Sequence, residues 1–431
     1  MPATPAPGGR AAAGRAVEGS DGRVLLLGAL DVGARIEADD EVLRGFYEGG
    51  PEGDGGAVGA AGAAAEPAWF VAYGERSEAF ARYAEQLGRR LGRRARGGSP
   101  RVWCSWYGYY RDISEARLAA ALQGLAGLAF DVFQVDDGWQ RAIGDWQPNG
   151  RFPSGMAELA KRIHDAGMRA GLWMAPFIVA PASPIFREHP HWLVRDDDGQ
   201  PVVAGHNWGD AYYALDTTHP QAQAWLRSLV ERVREWGYDY LKLDFLYAAA
   251  MPGRRHAPVP RERAYREGLR VMREAAGDDV YILVCGAPVI ASLGLADGIR
   301  VGPDVAPFWE IPYGGGGASA RTLPSSRNAV WTSVERLWLQ PLIHTDPDVA
   351  YFRTRHNLLA ERERRWLQDL ARVAGFRATS DPPEWLTGQE RAELAAFLQE
   401  RPRVERVGPY RYRVDDREVD FGPALARDGQ G

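Results

Sequence analysis

The feature that most constrains this 431-residue chain is a regular alternation that begins at Arg101. Short runs rich in β-forming residues are each followed by a longer stretch with the apolar spacing of an amphipathic helix. Eight such runs with crossovers, over roughly 300 residues, predict an α/β fold built as a closed (β/α)8 TIM barrel. A doubly wound open sheet is the alternative, but no glycine-rich phosphate-binding motif follows the first run. The predicted strands are 102–106, 130–137, 169–176, 239–245, 280–286, 298–304, 337–343 and 374–381.

Polar side chains stand at the ends of several predicted strands. In TIM barrels the functional site lies at the C-terminal ends of the strands, so these side chains are expected to meet at one mouth. A single aspartate in such a place is more often a helix cap or an ion-pair partner, but the whole set indicates a functional site. The set is Asp136 and Asp137 in strand 2, Lys242 and Asp244 in strand 4, Cys285 and Gly286 in strand 5, and Arg300 and Asp304 in strand 6.

The fourth run, YLKLDFLY at 240–247, places charge inside an otherwise apolar strand. Side chains alternate along a strand, so Lys242 and Asp244 are expected to share one face. The chain has only two lysines, Lys161 and Lys242, and otherwise uses arginine. A lysine retained here indicates that a compact ammonium is needed at this point. By the same spacing, Arg300 and Asp304 are expected to share a face of strand 6.

Carboxylates supported by cations, in a chain with 15 Trp, 17 Tyr and 14 Phe, suggest glycoside hydrolysis. One carboxylate would attack the anomeric carbon while the other delivers a proton to the leaving oxygen, with Lys242 and Arg300 holding sugar hydroxyls. The alternative for clustered carboxylates is a divalent metal site. No histidine stands at these strand ends, which disfavours zinc and leaves magnesium open. That site would use Asp136, Asp137, Asp244 and Asp304.

Composition excludes several classes of partner. The formal net charge of −5 predicts no nucleic-acid footprint. No stretch approaches the length of a membrane span, and the N-terminal residues lack the apolar core of a signal peptide. Cys104 and Cys285 have neither metal-site spacing nor a disulfide framework. We therefore expect a cytoplasmic protein without nucleic-acid or membrane partners, acting on a small molecule.

The chain divides into three regions of different character. We predict an abbreviated N-terminal β region with a linker helix at 1–98, the catalytic barrel at 99–400 and a short C-terminal β-strand remnant at 401–431. Residues 48–67 are rich in Gly, Ala and Pro and are expected to form a flexible loop. The short end regions would leave apolar barrel surface exposed, so a homo-oligomer is a possibility to test.

The barrel motifs resemble those of glycoside hydrolase family 36 α-galactosidases (melibiases), and are most similar to the compact bacterial members. The resemblance covers about Arg101 to Asp381. Individual motifs are short, but their order along the chain is specific. They are WCSWYGYY, FQVDDGWQ, GDWQPNGRFPSGM, AGLWMAPF, EHPHWLV, YALDTTHP, YLKLDFLYAAAMPG, CGAP and DGIRVGPDVAPFW.

The resemblance implies a retaining exo-α-galactosidase that hydrolyses small α-galactosides of the melibiose or raffinose type by double displacement, with no cofactor and no metal. It implies Asp244 as the nucleophile and Asp304 as the general acid/base. The other implied substrate contacts are Asp136 and Asp137 at the C4 and C6 hydroxyls, Lys242 and Arg300 at further hydroxyls, Trp106 and Trp173 on the pocket wall, and Cys285 and Gly286 near the C2 hydroxyl.

The chain also departs from the family pattern. After strand 7, Thr345 stands where the family motif usually begins with Asn, followed by Asp346 and Asp348. Family members carry a substantial β-sandwich before the barrel, whereas this chain has fewer than about a hundred residues there. Two alternatives remain open at this point: a galactosyl transferase of the raffinose-synthase type, and an inactive sugar-binding remnant. Tolerance of an N-acetyl group at C2 also remains open.

Overall fold

The computed structural model describes residues 14–38, 42–47, 68–95, 97–311 and 323–425. The flexible loop predicted at 48–67 lies outside the described residues. Within them, eight short strands form one parallel sheet, here called barrel strands 1 to 8. These strands are Arg101–Cys104, Val132–Val135, Arg169–Met174, Tyr240–Leu243, Tyr281–Val284, Gly298–Arg300, His344–Asp346 and Arg377–Thr379.

The sheet curves into a nearly closed barrel. Its hydrogen-bonded order in barrel-strand numbers is 7-6-5-4-3-2-1-8, and each recorded pair is parallel. The segment after barrel strand 7 contacts barrel strand 8, since the Ala350 N–H donates to the Ala378 carbonyl at 2.8 Å. The (β/α)8 TIM barrel predicted from the alternation is therefore confirmed. Because parallel neighbours align their ends, the C-terminal ends of the barrel strands come together at one mouth.

Amphipathic helices surround the barrel and bury its outer face. Ser114 shows how the sequence sets one helix start, since its hydroxyl accepts from the Arg117 N–H at 3.2 Å. The α-helices are Arg76–Leu91, Trp106–Tyr109, Glu115–Gly124, Gly155–Asp165, Pro184–Glu188, Pro220–Glu235, Arg261–Ala276, Val289–Ser292, Ser326–Arg336, Glu361–Ala374, Gly388–Gln399 and Gly422–Leu425. The 3-10 helices are Pro190–Trp192, Leu246–Ala250, Leu337–Leu339 and Pro383–Trp385.

Small antiparallel sheets are present near both ends of the chain, and others are formed by the segments that follow barrel strands 2 and 3. Near the N-terminus, Gly14–Glu18, Val24–Ala29 and Trp69–Gly74 form one sheet, and Ala34–Ala38 pairs with Leu43–Tyr47. The remaining strands are Gln140–Ala142 with Asp145–Pro148, Ile178–Val179 with Val203–Asn207 and Asp210–Ala214, and Val404–Gly408 with Arg411–Val414 and Arg417–Asp420.

The predicted domain boundaries fall between elements. Residues 98 and 99 lie between the helix Arg76–Leu91 and barrel strand 1, and residues 400 and 401 lie between the helix Gly388–Gln399 and the strand Val404–Gly408. The division into three domains stays a prediction. Among the described residues, no helix is both long enough and apolar enough to cross a membrane.

Two strand predictions are wrong. The segment 337–343 begins with a 3-10 helix, and barrel strand 7 is His344–Asp346. The apolar segment 337–343 packs on the helix Arg76–Leu91 instead, where the rings of Trp338 and Phe80 lie 5.2 Å apart. Barrel strand 6 ends at Arg300, so Asp304 lies in the loop beyond it and does not share a strand face with Arg300.

Candidate active site

A cavity of about 340 Å³ opens at the C-terminal ends of the barrel strands. Nine of the ten predicted site residues line it, namely Trp106, Asp136, Asp137, Trp173, Lys242, Asp244, Cys285, Gly286 and Asp304. The tenth, Arg300, is not among the lining residues. Additional lining residues that sequence reasoning missed are Asn207, Trp208, Phe245, Tyr247, Gly302, Pro303 and Pro324.

A buried ion pair forms one wall of the cavity. Lys242 Nζ lies 2.9 Å from Asp136 Oδ2, and the two side chains are 5% and 3% exposed. The Gln134 amide also donates to Asp136 Oδ2 at 2.7 Å, and the Asp137 N–H donates to Oδ1 at 2.9 Å. Burial lowers the pKa of Lys242, but the surrounding negative groups, Asp136 foremost, together outweigh burial and keep that pKa well above its usual value. Lys242 therefore stays protonated and can donate to a ligand.

We expect Lys242→Met to destabilise the fold by about 3–5 kcal/mol, since breaking a buried pair leaves its partner charge uncompensated. Urea unfolding followed by tryptophan fluorescence measures this change. The matched control is Lys161→Met, which removes the chain's other lysine from an exposed i,i+4 pair with Asp165 and should leave the midpoint almost unchanged. Equal midpoints for both variants would contradict the prediction.

Asp137 is held from a hairpin that the sequence analysis did not predict. Its Oδ1 accepts from the Gln140 amide at 2.6 Å, and its Oδ2 accepts from Trp208 Nε1 at 2.7 Å. Trp208 and Gly209 are the two central residues of the turn between the strands Val203–Asn207 and Asp210–Ala214, and both have positive φ values of 55° and 86°. The letters NWGD carry this turn signal, because a two-residue turn of this kind favours glycine. Burial raises the pKa of Asp137.

Asp244 directly follows barrel strand 4. Its N–H still donates to the Met174 carbonyl at 2.8 Å, which continues the pairing with strand 3. Its carboxylate accepts from the Phe245 N–H at 2.7 Å and from Trp173 Nε1 at 3.1 Å. Phe245 then turns the chain with φ 54° and lines the cavity beside Asp244. Two N–H donors of the protein thus hold the Asp244 carboxylate in place.

Asp304 faces the same cavity from the loop after barrel strand 6. Arg300 Nη1 lies 3.2 Å from its Oδ1, and 45% of the Asp304 side chain remains exposed. Desolvation by the surrounding protein raises the pKa of Asp304; the charges of Arg300 and Lys242 oppose that rise and do not cancel it. Asp304 therefore holds a proton at higher pH than an ordinary aspartate.

Arg300 lies behind Asp304 among three carboxylates. Its Nε lies 3.1 Å from Asp346 Oδ2, and its Nη1 lies 2.8 Å from Asp348 Oδ2. The arginine side chain is 6% exposed. Its predicted contact with sugar hydroxyls stays a prediction, and the recorded contacts place it as a support for Asp304. Asp346 and Asp348 stand after strand 7 in the sequence and were not among the predicted site residues.

Cys285 and Gly286 directly follow barrel strand 5. Gly286 has φ 56°, a left-handed conformation that glycine adopts without strain, and its carbonyl accepts from the Tyr247 N–H at 2.6 Å. Burial raises the pKa of the Cys285 thiol well above its usual value, so it stays protonated. Among the described residues, no group of three or more His, Cys, Asp or Glu side chains is arranged to hold a metal ion.

Comparison with known proteins identifies the family of this chain. Residues 66–273 match the melibiase family model. A solved structure of the α-galactosidase TtGalA from Thermus thermophilus, in complex with p-nitrophenyl α-D-galactopyranoside, superposes with a TM-score of 0.88 at 50% sequence identity, covering 96% of this chain and 82% of that one. This chain belongs to the melibiase family, glycoside hydrolase family 36.

More distant α-galactosidases match this chain over a short stretch of sequence or in the fold. The curated α-galactosidase AgaA of Geobacillus stearothermophilus is 34% identical over 99 residues, which is 21% of this chain and 14% of that protein. The solved structure of AgaA from the same organism is 16% identical with a TM-score of 0.58, covering 90% of this chain and 57% of that one, and supports the fold alone. The aligned segments thus span well under two thirds of the curated relatives' length.

Proposed function

We propose that this protein is a retaining exo-α-galactosidase that hydrolyses terminal α-linked galactose from small α-galactosides. One observation carries the proposal: Asp244 and Asp304 line the same cavity, from the C-terminal ends of barrel strands 4 and 6, which lie on either side of strand 5. Asp244 accepts two N–H hydrogen bonds, whereas the pKa of Asp304 is raised by desolvation. A carboxylate nucleophile and a protonated acid are the two groups that retaining hydrolysis requires.

In the first step, an Asp244 oxygen forms a bond to the anomeric carbon as the glycosidic bond breaks. The bonding electron pair passes to the aglycone oxygen, which takes the proton of Asp304. In the second step, the Asp304 carboxylate removes a proton from water as the water oxygen bonds to the anomeric carbon. The ester bond to Asp244 breaks in the same step and its electron pair returns to the Asp244 carboxylate, so that Asp244 is again ionised and Asp304 again protonated. A retaining site places the two carboxyl groups about 5 Å apart.

The remaining lining residues supply recognition. We propose that Asp136 and Asp137 accept from the C4 and C6 hydroxyls, since both are buried and already oriented by donors from the protein. Lys242 would donate to a neighbouring hydroxyl, Trp106 and Trp173 would pack against the sugar, and Cys285 and Gly286 would lie near C2. Arg300 we assign to the support of Asp304 instead of to the sugar.

The test is hydrolysis of p-nitrophenyl α-galactoside beside the matching α-glucoside. The glucoside places the C4 hydroxyl equatorially, which leaves a buried acceptor unpaired, so we expect kcat/KM for the galactoside to be higher by at least about 10³-fold. Comparable rates for the two epimers would contradict the assignment of Asp136 and Asp137. Oligosaccharide products at low substrate concentration, in place of free galactose, would favour a transferase.

Two further proposals concern the setting of the enzyme. A homo-oligomer is supported by exposed apolar side chains on the outer face of the N-terminal sheet, where Val71 and Tyr73 are 65% and 59% exposed. Light scattering on the purified chain tests this proposal.

A cytoplasmic location is supported by two free cysteines, Cys104 and Cys285, both of them buried.

A further inference from the structure

A buried charge network lies directly behind Asp304. Arg300 contacts Asp304, Asp346 and Asp348, so one positive charge serves three carboxylates. Asp346 and Asp348 come from barrel strand 7 and the loop after it, more than forty residues along the chain from Arg300. Neither of these two aspartates lines the cavity. They can act on a bound sugar only through another residue.

Of these two aspartates, Asp348 has the more direct links to Asp304. Its Oδ2 accepts from Arg300 Nη1 at 2.8 Å and from the Val305 N–H at 3.0 Å. The Tyr107 hydroxyl donates to the same oxygen. Arg300 Nη1 is the nitrogen that also contacts Asp304, and Val305 is the next residue in the chain. Asp348 is thus linked to Asp304 through both the side chain and the backbone.

The backbone at Asp348 is strained. Its φ of 80° is in the left-handed region, which costs free energy for a residue other than glycine. The conformation is held by the Asp348 N–H donating to Asp346 Oδ1 at 2.8 Å and by the Val349 N–H donating to Asp348 Oδ1 at 2.9 Å. The Asp348 side chain is fully buried. Strain that the surroundings hold in place beside a cavity is typical of a functional position.

The charged groups around Asp348 and Asp304 determine how Asp348 affects the protonation of Asp304. Asp348 is faced by Arg300, Asp304, Asp346 and Tyr107, and Asp304 is faced in addition by Lys242 and Asp244. Burial raises the pKa of Asp348 to about 6, and the charge of Arg300 opposes that rise. When Asp348 is ionised, it neutralises part of the Arg300 charge and repels negative charge on Asp304.

We propose that Asp348 is a positioning residue for the general acid/base Asp304, which it holds in place and keeps protonated by sharing Arg300 with it. The inference rests on the proposed function, since it needs Asp304 to transfer a proton. Asp348 does not touch the sugar; Arg300, Tyr107 and the backbone at Val305 carry its effect.

Asp348→Asn separates charge from geometry. The donors from Arg300, Tyr107 and Val305 all point to Oδ2, so the asparagine oxygen can keep those contacts, while the negative charge and the local Val349 N–H contact to Oδ1 are lost. Arg300 then stabilises ionised Asp304 more strongly, which lowers the pKa of Asp304. We expect the alkaline limb of the kcat/KM profile to move to lower pH by at least about half a unit.

Asp346→Asn is the matched control. Asp346 is equally buried and also pairs with Arg300, but through Nε at 3.1 Å, and it has no recorded hydrogen bond or ion pair with Tyr107, Val305 or Asp304. A smaller shift for Asp346→Asn supports the inference, and equal shifts would overturn it. An Asp348→Asn profile that superposes on that of the parent protein would also overturn it.

Leaving-group dependence gives a second readout, which a merely structural role would not move. Melibiose needs a proton on its leaving oxygen, whereas p-nitrophenol leaves with little help, so weakened acid catalysis lowers kcat/KM more for melibiose. We expect Asp348→Asn and Tyr107→Phe each to lose at least about fivefold more on melibiose than on the aryl galactoside. Equal losses on both substrates would overturn the inference.

The outcomes separate the two proposals. If the parent protein hydrolyses neither substrate, the proposed function fails. If it hydrolyses both, and the variants show neither the pH shift nor the leaving-group difference, the inference about Asp348 alone fails. Thermal unfolding of each variant is recorded beside the kinetics. Tyr107→Phe, which removes only a hydroxyl, keeps the test decisive if Asp348→Asn does not fold.

Discussion

Asp244→Ala is expected to lower kcat for p-nitrophenyl α-galactoside by at least about 10³-fold, because the variant lacks the carboxylate that forms the covalent intermediate. The loss should not come from unfolding. Asp244 lines the cavity, and its two donors, the Trp173 indole and the Phe245 N–H, can be satisfied by water after truncation. Steady-state kinetics together with thermal unfolding of the same samples measure both quantities.

The control for this variant is Asp239→Asn, which removes a carboxylate at the opposite end of barrel strand 4. Asp239 pairs with Arg169 at 3.2 Å and does not line the cavity, so activity should stay near that of the parent protein. Sodium azide adds a stereochemical check. In the space left by Asp244→Ala, azide attacks from the nucleophile's face and should give β-galactosyl azide. Residual activity above about one tenth would remove Asp244 from the role of nucleophile.

Asp304→Ala should produce the second largest effect, a loss of about 10²–10⁴-fold in kcat/KM for melibiose. The loss on p-nitrophenyl α-galactoside should be much smaller for the first step, since that leaving group hardly needs the acid. The alkaline limb that the raised pKa of Asp304 sets in the parent protein should disappear from the variant's profile. Arg300 remains paired with Asp346 and Asp348, so the variant should fold.

Azide also distinguishes this variant from the first. It enters from the acid/base side of the covalent intermediate, needs no general base, and should give α-galactosyl azide with a restored rate. Asp165→Ala, at an exposed helix end, is the matched carboxylate control. β-Galactosyl azide from Asp304→Ala, or an unchanged pH profile, would be inconsistent with its role as acid/base.

The sequence alone was informative where the signal is local. Strand and helix periodicity repeat within a few residues, so the alternation was sufficient to predict the barrel. The rule that barrel sites lie at strand ends then selected Asp136, Asp137, Lys242, Asp244 and Asp304, all of which line one cavity. Each of these residues is in a barrel strand or in the loop that follows it.

The predictions failed where the outcome depends on contacts between distant segments. The apolar run at 337–343 has the composition of a strand, yet its Trp338 packs on the N-terminal helix. Trp208 was missed because its hairpin lies in the long excursion after barrel strand 3, away from the strand ends that guided the search. Its turn letters predict a hairpin, but not that the indole reaches Asp137.

The pairing of the charges shows most clearly what the sequence determined and what the tertiary structure decided. Lys242 was expected beside Asp244, two residues away, but its ion pair is with Asp136, over a hundred residues earlier. Arg300 was expected to contact sugar hydroxyls, which stays a prediction, and its ion pairs are with Asp304, Asp346 and Asp348. The sequence determined which residue types stand at the strand ends. Only closure of the barrel decided which charges meet, because a Coulomb interaction depends on distance in space and on local burial, and neither follows from separation along the chain.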